Sequence, residues 1–230
     1  MRAASRLICV VLVLAASAPA AAMDLSGELG VVSDYRDRGL TLSNGKPAVQ
    51  GAILLEHASG LYGEVWASTL GSPRGPQDSE WDFSAGYETA LWKSVSLDLY
   101  ATYVVYPKAG DENYLEATAI ATAELGGGSA GVGVSFVPRQ RGTRDEAGRG
   151  RRNTYVFGQA GYDIPKTPLN MTARLGYERG WFDGVERGGK WDWTLGAEAE
   201  VHSARLGLAY AGSNADDDRH GVVASLFLSW

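Results

Sequence analysis

The sequence predicts an all-β protein in which about 12 antiparallel strands close into a transmembrane barrel. Three observations predict this fold. Apolar residues alternate with polar or very small residues through most of the chain, long and short connections follow one another in strict order, and the last segment ends on an aromatic residue. With 30 glycines, 7 tryptophans and 11 tyrosines in 230 residues, the composition is unusual for an ordinary globular domain.

The chain begins with the pattern of a secretory signal peptide, which we assign to residues 1–22. Arg2 and Arg6 precede the apolar run LICVVLVLAA, and the small residues APAAA follow before Met23. This order of charged, apolar and small residues is typical of a cleaved signal. The one cysteine, Cys9, lies inside it. We therefore expect residues 23–230 to form a single barrel domain without disulfides.

Alternation with a period of two is clearest over residues 95–106, where Val95 and Leu97 share one face and Ser96 and Asp98 share the other. Such a pattern indicates a strand with two different faces. Followed along the whole chain, it predicts strands at residues 24–36, 47–57, 60–70, 79–91, 94–106, 113–125, 129–138, 153–164, 169–180, 190–202, 204–213 and 219–230.

The connections between these strands indicate a membrane barrel. Those after the odd-numbered strands are long and polar, as in GSPRGPQDS and PRQRGTRDEAGRGRR, whereas those after the even-numbered strands are as short as WKS and HSA. Bacterial outer-membrane barrels have short periplasmic turns and long extracellular loops. A bare sheet edge has no hydrogen-bond partner in hydrocarbon, so the last strand must pair with the first. We expect a location in the outer membrane of a Gram-negative bacterium.

The final strand, HGVVASLFLSW, places Leu226, Leu228 and the terminal Trp230 on one face. An aromatic C-terminus after such alternation is similar to the signal read by the barrel assembly machinery, which we expect as a partner during biogenesis. The alternative is an ordinary edge strand that ends in a buried tryptophan.

If the apolar face meets lipid, the polar face lines the interior, because charge on the lipid side is costly. The candidate lumen residues are Asp34, Arg36, Glu64, Glu80, Asp82, Asp98, Glu116, Arg174, Asp192 and Glu198. Since acids predominate, an open lumen would favour small cations or neutral polar solutes over anions. This predicts a porin-like passive diffusion channel. The alternative is a lumen plugged by salt-bridged pairs.

The fourth long loop is rich in arginine, with Arg139, Arg141, Arg144, Arg149, Arg151 and Arg152. Guanidinium groups there would face the phosphates and carboxylates of lipopolysaccharide, which we expect as a partner together with the outer-membrane lipid. Two alternatives stay open. The loop could be solvated and mobile, or it could fold into the mouth and pair with the lumen acids.

Other functional classes find less support. The net charge of −6 argues against nucleic acid as a partner. Scattered histidines and acids on separate strands predict no metal site and no cofactor. A lipid hydrolase on the outer wall would depend on His220, since His57 and His202 fall at periplasmic turns, and no serine signature accompanies it. We therefore predict no enzymatic activity. A structural or adhesive surface barrel without a pore stays open, as does homo-oligomerisation.

Several runs resemble the TorF family of porin-like proteins, formerly a conserved hypothetical family of proteobacteria. They are SDYRDRGLTLSNGKPAVQG, HASGLYGEVWAS, SEWDFSAGYE, VVYP and NYLEA. The residues that match the family's pattern are Asp34, Tyr35, Arg36, Arg38, Gly39, Glu64 and Trp66, whereas Asp37 replaces an aromatic residue. The resemblance implies an outer-membrane barrel of unassigned substrate and no catalytic residues.

Overall fold

The computed structural model describes residues 23–71, 77–186, 188–215 and 220–230. The signal peptide expected at residues 1–22 lies outside the described residues. Among those described, no helix is long and apolar enough to cross a membrane.

Nearly all of the regular structure is strand. The strands are β1 (Met23–Val32), β2 (Arg36–Asp37), β3 (Leu40–Thr41), β4 (Ala48–His57), β5 (Leu61–Thr69), β6 (Ser79–Trp92), β7 (Val95–Val105), β8 (Tyr114–Glu124), β9 (Gly128–Val137), β10 (Asn153–Asp163), β11 (Leu169–Gly180), β12 (Lys190–Val201), β13 (Ala204–Ser213) and β14 (Gly221–Ser229). Two single-turn 3₁₀ helices lie in long loops, at Gly110–Glu112 and Arg141–Thr143.

Every strand except β2 and β3 belongs to one closed antiparallel barrel. Each pairs with the neighbours that precede and follow it, and β14 returns to pair with β1, Glu28 opposite Ser229 and Val32 opposite Ser225. The predicted fold of a closed barrel with about 12 strands is confirmed. The pair β2–β3 is a small separate hairpin in the first long loop.

Long and short connections alternate as the sequence predicted. The described residues of six long loops lie at one end of the barrel, which we call the long-loop end. We number these loops 1 to 6, and they comprise residues 33–47, 70–71 with 77–78, 106–113, 138–152, 181–186 with 188–189, and 214–215 with 220. The opposite, short-turn end holds connections such as Lys93–Ser94 and His202–Ser203. Both ends of the described chain lie at the short-turn end, since Met23 opens β1 and Trp230 follows β14.

The wall is apolar on its outside. Leu25, Val132 and Leu208 are 69, 66 and 58% exposed, and many other large apolar side chains of the strands are similarly uncovered. In water such a surface would be unfavourable by about 25 cal/mol per Å². The fully buried side chains are instead inside the barrel, and several of them, such as Glu178 and Lys190, are charged. This arrangement inverts that of a soluble protein and fits a lipid-facing wall.

Candidate pore constriction

Loop 1 enters the barrel because Asp34 folds it inward. The Asp34 carboxylate accepts hydrogen bonds from Arg36 Nε and Thr41 Oγ1, both at 2.6 Å, from Ser43 Oγ at 3.0 Å and from the Gly45 backbone at 3.1 Å. Asp34 is 8% exposed. Such local bonds compete with the ladder of a strand. The predicted first strand, 24–36, is therefore wrong at its end, since β1 stops at Val32 and both Asp34 and Arg36 lie on the loop.

The hairpin β2–β3 turns at its tip through Arg38 and Gly39, between the paired residues Asp37 and Leu40. The φ angles of Arg38 and Gly39 are +46° and +82°, as in the two-residue type I′ turns that suit the twist of a hairpin. Gly39 also rests on the wall, where an added Cβ would lie 2.5 Å from the Gly212 carbonyl oxygen. The tip is therefore fixed against β13 and presents the Arg38 side chain to the lumen.

Arg38 spans the mouth. Its Nη2 donates to both oxygens of Glu116, at 2.6 and 2.7 Å, and its Nη1 donates to Glu178 Oε1 at 2.7 Å. The guanidinium carbon lies 4.4 Å from the centre of the Tyr155 ring. Burial lowers the pKa of Arg38, but the carboxylates of Asp37, Glu116 and Glu178 outweigh it and raise that pKa well above its usual value. Arg38 is thus a fixed cation held between two walls of the barrel.

Tyr35 provides a second anchor for loop 1. Its hydroxyl donates to Glu80 Oε1 at 2.9 Å, and its ring centre lies 5.4 Å from that of Trp66. Burial, and next the negative charge of Glu80, raise the pKa of Tyr35 well above its usual value. The hydroxyl therefore stays protonated and remains a donor. Loop 1 is also joined to loop 2 by the bond from the Gly71 backbone to the Leu42 carbonyl, at 3.1 Å.

The inward rings of Tyr155 and Phe157 lie flat against the wall because each one faces a glycine on a neighbouring strand. A Cβ at Gly176 would lie 2.2 Å from Tyr155 Oη, and a Cβ at Gly133 would lie 2.2 Å from the Phe157 ring. The two rings stack on each other with their centres 5.2 Å apart. Rings that cover glycines on the neighbouring strand are a known way to fill a sheet. Here they form a platform on which the arginines of the lumen rest.

Further polar side chains of the wall form hydrogen bonds or ion pairs with Tyr155 of the platform and with Glu178. Tyr155 Oη donates to Asp192 Oδ1 at 2.9 Å. Glu178 accepts a bond from Asn153 Nδ2 at 2.8 Å, and its other oxygen lies 2.7 Å from Lys190 Nζ. Each of these side chains is at most 2% exposed. A buried carboxylate such as Glu178 is stable only when its charge is paired in this way.

Arg174 lies beyond the platform and is surrounded by neutral groups. Its guanidinium carbon is 3.9 Å from the centre of the Phe157 ring. It borders a cavity of about 470 Å³ whose other polar lining residues are Thr122, Ser129, Gln159, Asn170, Thr172 and Thr194. Within the described ranges, no carboxylate forms an ion pair with Arg174.

The remaining candidate lumen residues are also inside. Asp98 accepts a hydrogen bond from Tyr62 Oη at 2.9 Å. Arg205 forms ion pairs with Glu28, at 2.5 Å, and with Glu198, at 3.7 Å. Glu64 and Trp66 lie on the same face of β5, and Glu80 and Asp82 lie on the same face of β6. Glu80 Oε2 and Asp82 Oδ1 are buried and have no hydrogen-bond partner among the described residues.

Loop 4 does not occupy the mouth. Arg141 pairs with Asp111 of loop 3, and Arg149 and Arg151 pair with Asp145 of loop 4 itself. The backbone N–H of Arg149 donates to Asp145 and lowers the pKa of that carboxyl. In the part of the chain that the structure describes, none of the six arginines, Arg139, Arg141, Arg144, Arg149, Arg151 and Arg152, pairs with a lumen acid. One alternative from the sequence was that loop 4 folds into the mouth of the barrel. In the structure, loop 1 occupies the mouth instead.

The C-terminal residues face outward. Leu226, Leu228 and Trp230 are 41, 53 and 71% exposed. Trp230 and Gly27 exchange two backbone hydrogen bonds, at 3.1 and 3.2 Å, which extend the seam between β14 and β1. The indole covers Gly27, where an added Cβ would lie 2.7 Å from the ring.

The sequence interpretation gave no role in the lumen to two residues that matter most here, since it named Arg38 only as a match to the TorF pattern and did not single out Lys190. The available signal for Arg38 was the run Asp-Arg-Gly-Leu, whose glycine favours a two-residue turn. The sequence offers no comparable signal for the Lys190 pair.

Comparison with known proteins assigns the chain to a family. A family model described as a bacterial protein of unknown function, Gcw_chp, matches residues 16–226. The chain belongs to the Gcw_chp family. No curated protein matches this Gcw_chp chain. The resemblance to the TorF family stays a prediction, because the Gcw_chp model carries no assigned function.

Solved outer-membrane channels share the fold of this Gcw_chp protein. A structure of the KdgM porin in complex with disordered oligogalacturonate has a TM-score of 0.60 at 9% identity, over 89% of this chain and 98% of that one. The NanC porin gives 0.61 at 10% identity, over 90% and 99%. The COG4313 outer membrane channel from Pseudomonas putida F1 gives 0.56 at 10% identity, over 89% and 94%. At these identities the likeness concerns the fold.

Proposed function

We propose that this protein is a passive diffusion channel of the Gram-negative outer membrane for small cations or neutral polar solutes. The observation that carries the proposal is a closed barrel with an apolar outside and a carboxylate-rich interior, narrowed at one end by loop 1. The porin fold of the structural neighbours supports it. Loop 1 is then the constriction at which solutes are selected.

The charge balance at the constriction favours cations. The acids on or around loop 1 are Asp34, Asp37, Glu80, Asp82, Glu116, Glu178 and Asp192, and the cations of the described residues there are Arg36, Arg38, Lys46 and Lys190. A net negative lining raises the local concentration of cations and lowers that of anions. The KdgM porin, solved with the acidic chain oligogalacturonate, is therefore a guide to the fold and not to the solute.

A bilayer recording tests this function. The purified protein in planar membranes is expected to conduct, and its reversal potential under a KCl gradient is expected to show cation preference. Glu80→Gln combined with Asp82→Asn should reduce that preference, whereas Glu112→Gln in the exposed loop 3 should not. The absence of conductance would refute the channel, and anion preference would refute the role of the lumen acids.

The bonds that hold loop 1 in the mouth favour a second candidate, a surface barrel that does not conduct. In that case neither the wild type nor a variant with a released loop 1 would pass current. Solute uptake by cells that carry loop-replaced variants would then match that of cells with the wild type, and binding by loops 3 and 4 would be the measurable activity.

We propose three further interactions in the envelope. The signal at residues 1–22 directs export, and Leu226, Leu228 and Trp230 are read by the barrel assembly machinery. The arginines of loop 4 contact lipopolysaccharide phosphates through charge-assisted bonds. Binding to vesicles with and without lipopolysaccharide would test the contact made by loop 4. Replacement of Arg149 and Arg151 by glutamine should weaken binding to the vesicles that contain lipopolysaccharide and leave binding to the other vesicles unchanged.

A further inference from the structure

The guanidinium group of Arg38 is bound in the way in which proteins bind a guanidinium ligand. Two carboxylates take its edges, Glu116 through both oxygens of the acid at 2.6 and 2.7 Å, and Glu178 through one at 2.7 Å. The Tyr155 ring covers its face at 4.4 Å. Paired carboxylates match the planar fork of donors, and an aromatic face attracts the delocalised charge. We call Glu116, Glu178 and Tyr155 the guanidinium cage.

The cage belongs to the wall and not to loop 1. Glu116 lies on β8, Tyr155 on β10 and Glu178 on β11. Tyr155 is fixed by its bond to Asp192, and Glu178 is fixed by Asn153 and Lys190. These bonds do not involve Arg38. The positions of Tyr155 and Glu178 are therefore set in advance, which lowers the entropy lost when a ligand binds, whereas the described polar contacts of Glu116 are with Arg38 itself.

Carboxyl oxygens without hydrogen-bond partners remain beside the cage when Arg38 is in place. Asp192 is 2% exposed, yet its Oδ2 has no hydrogen-bond partner among the described residues, and the same holds for Glu80 Oε2, with Glu80 5% exposed. Buried carboxylate oxygens without partners are rare in proteins. They indicate that the region can accept hydrogen bonds from a donor that the described part of the chain does not supply.

We propose that the guanidinium cage is a binding site for small solutes with a guanidinium group, and that Arg38 occupies it as a tethered competitor. The proposal rests on the channel function and deepens it by naming a solute class. An incoming guanidinium solute takes the place of Arg38, and the hairpin tip that carries Arg38 is released from the wall. An ammonium group is more strongly hydrated and lacks the planar fork that matches two carboxylates and an aromatic face together, so it should bind the cage more weakly.

Calorimetric titration of methylguanidinium chloride into folded Arg38→Ala protein in neutral detergent tests the site directly. One equivalent should bind, about tenfold or more tighter than methylammonium, because only the former fits two acids and a ring. The wild type should bind far more weakly, since tethered Arg38 is present at high effective concentration. Arg139→Ala is the control, because Arg139 is exposed on loop 4 and has no ion pair among the described residues, and it should behave as the wild type does.

A second substitution locates the bound ligand. Adding Glu116→Gln to the Arg38→Ala protein should weaken methylguanidinium binding about tenfold or more, since one of the two charge-assisted contacts is lost. Folding is checked by the heat-dependent shift on SDS gels, and Arg38→Gln replaces Arg38→Ala if the latter does not fold.

Three results would overturn the site: no binding to either folded variant, equal binding of methylammonium, or no effect of Glu116→Gln. Bilayer recordings of the same samples separate this proposal from the channel. Conductance without methylguanidinium binding refutes the cage and leaves the channel. Binding without conductance supports the cage as a site and refutes the channel.

Discussion

Replacing Arg38 by alanine should release loop 1 from the mouth. Arg38 donates to two carboxylates, and the exposed fractions of the side chains are 15% for Arg38, 14% for Glu116 and 0% for Glu178. Hydrogen bonds to charged groups contribute about 1.5–3 kcal/mol each. One bond to each acid gives about 3 kcal/mol at the low end, and 1.4 kcal/mol corresponds to a factor of about ten in an equilibrium. The ratio of released to docked loop should rise about a hundredfold.

Single-channel recording measures this ratio through open and closed dwell times. We expect the Arg38→Ala channel to spend much longer in its high-conductance state than the wild type. Glu116→Gln alone should have a smaller effect in the same direction, because Glu178 still holds Arg38. Arg174→Ala should leave the dwell times unchanged, since Arg174 has no contact with loop 1 among the described interactions.

A specific result would refute this reasoning. If Arg38→Ala folds and its dwell times equal those of the wild type, the contacts of Arg38 do not hold loop 1. The constriction would then depend on Tyr35 and Asp34 alone, and Tyr35→Phe should change the dwell times instead.

Three further predictions concern the wall and loop 4. Gly176→Ala should lower the free energy of unfolding by about 1–3 kcal/mol, because its new methyl group overlaps the tyrosine ring above it; urea unfolding in detergent measures this, with Gly158→Ala as the control at a site with ordinary contacts. Gly27→Ala should weaken the seam under the terminal tryptophan and lower the temperature of the SDS-gel transition, whereas Gly63→Ala should not. Asp145, whose pKa is lowered first by the backbone N–H of Arg149, holds loop 4 in order above its ordinary pKa of about 4; the protection of loop 4 amides against exchange, measured relative to the intrinsic exchange rate at each pH, should fall as the pH falls below that value, and Asp145→Asn should remove this pH dependence.

These outcomes are separable from general damage to the protein. If each glycine variant and its control lost the same amount of stability, the role assigned to the aromatic ring that covers the glycine would be contradicted. Protection of the loop 4 amides that stays constant down to acid pH, relative to the intrinsic exchange rate, would contradict the role of the aspartate.

The wall of the barrel was predictable from the sequence because its pattern is local. A strand between lipid and lumen alternates with a period of two whatever its neighbours are, and this placed Glu116 and Asp192 on the inward face before their partners were known. The strand order also followed, since short turns join antiparallel neighbours. The end of β1 was wrong because the side-chain bonds of Asp34 compete with the ladder, and alternation does not report such competition.

The contents of the mouth were not predictable in the same way. Arg38 is 78 residues from Glu116 and 140 residues from Glu178 along the chain, and no local pattern links positions so far apart. The arginines of loop 4 gave a stronger compositional signal than the single arginine at the hairpin tip, yet they pair within the long loops. The glycines under Tyr155 and Phe157 lie on neighbouring strands, so their fit to the rings becomes visible only with the register.

The seam between β1 and β14 has a consequence for the order of events when the barrel forms and comes apart. With the backbone bonds of Gly27 and Ser33 at its two ends, its ladder runs from Gly27 to Ser33, whereas the ladder between β1 and β4 runs from Met23 to Val32 and is longer. Force, heat or a chaotrope should therefore separate β1 from β14 first. The barrel would then open at this junction into a curved sheet. By the same reasoning, the pairing of β14 with β1 should be the last step when the barrel closes.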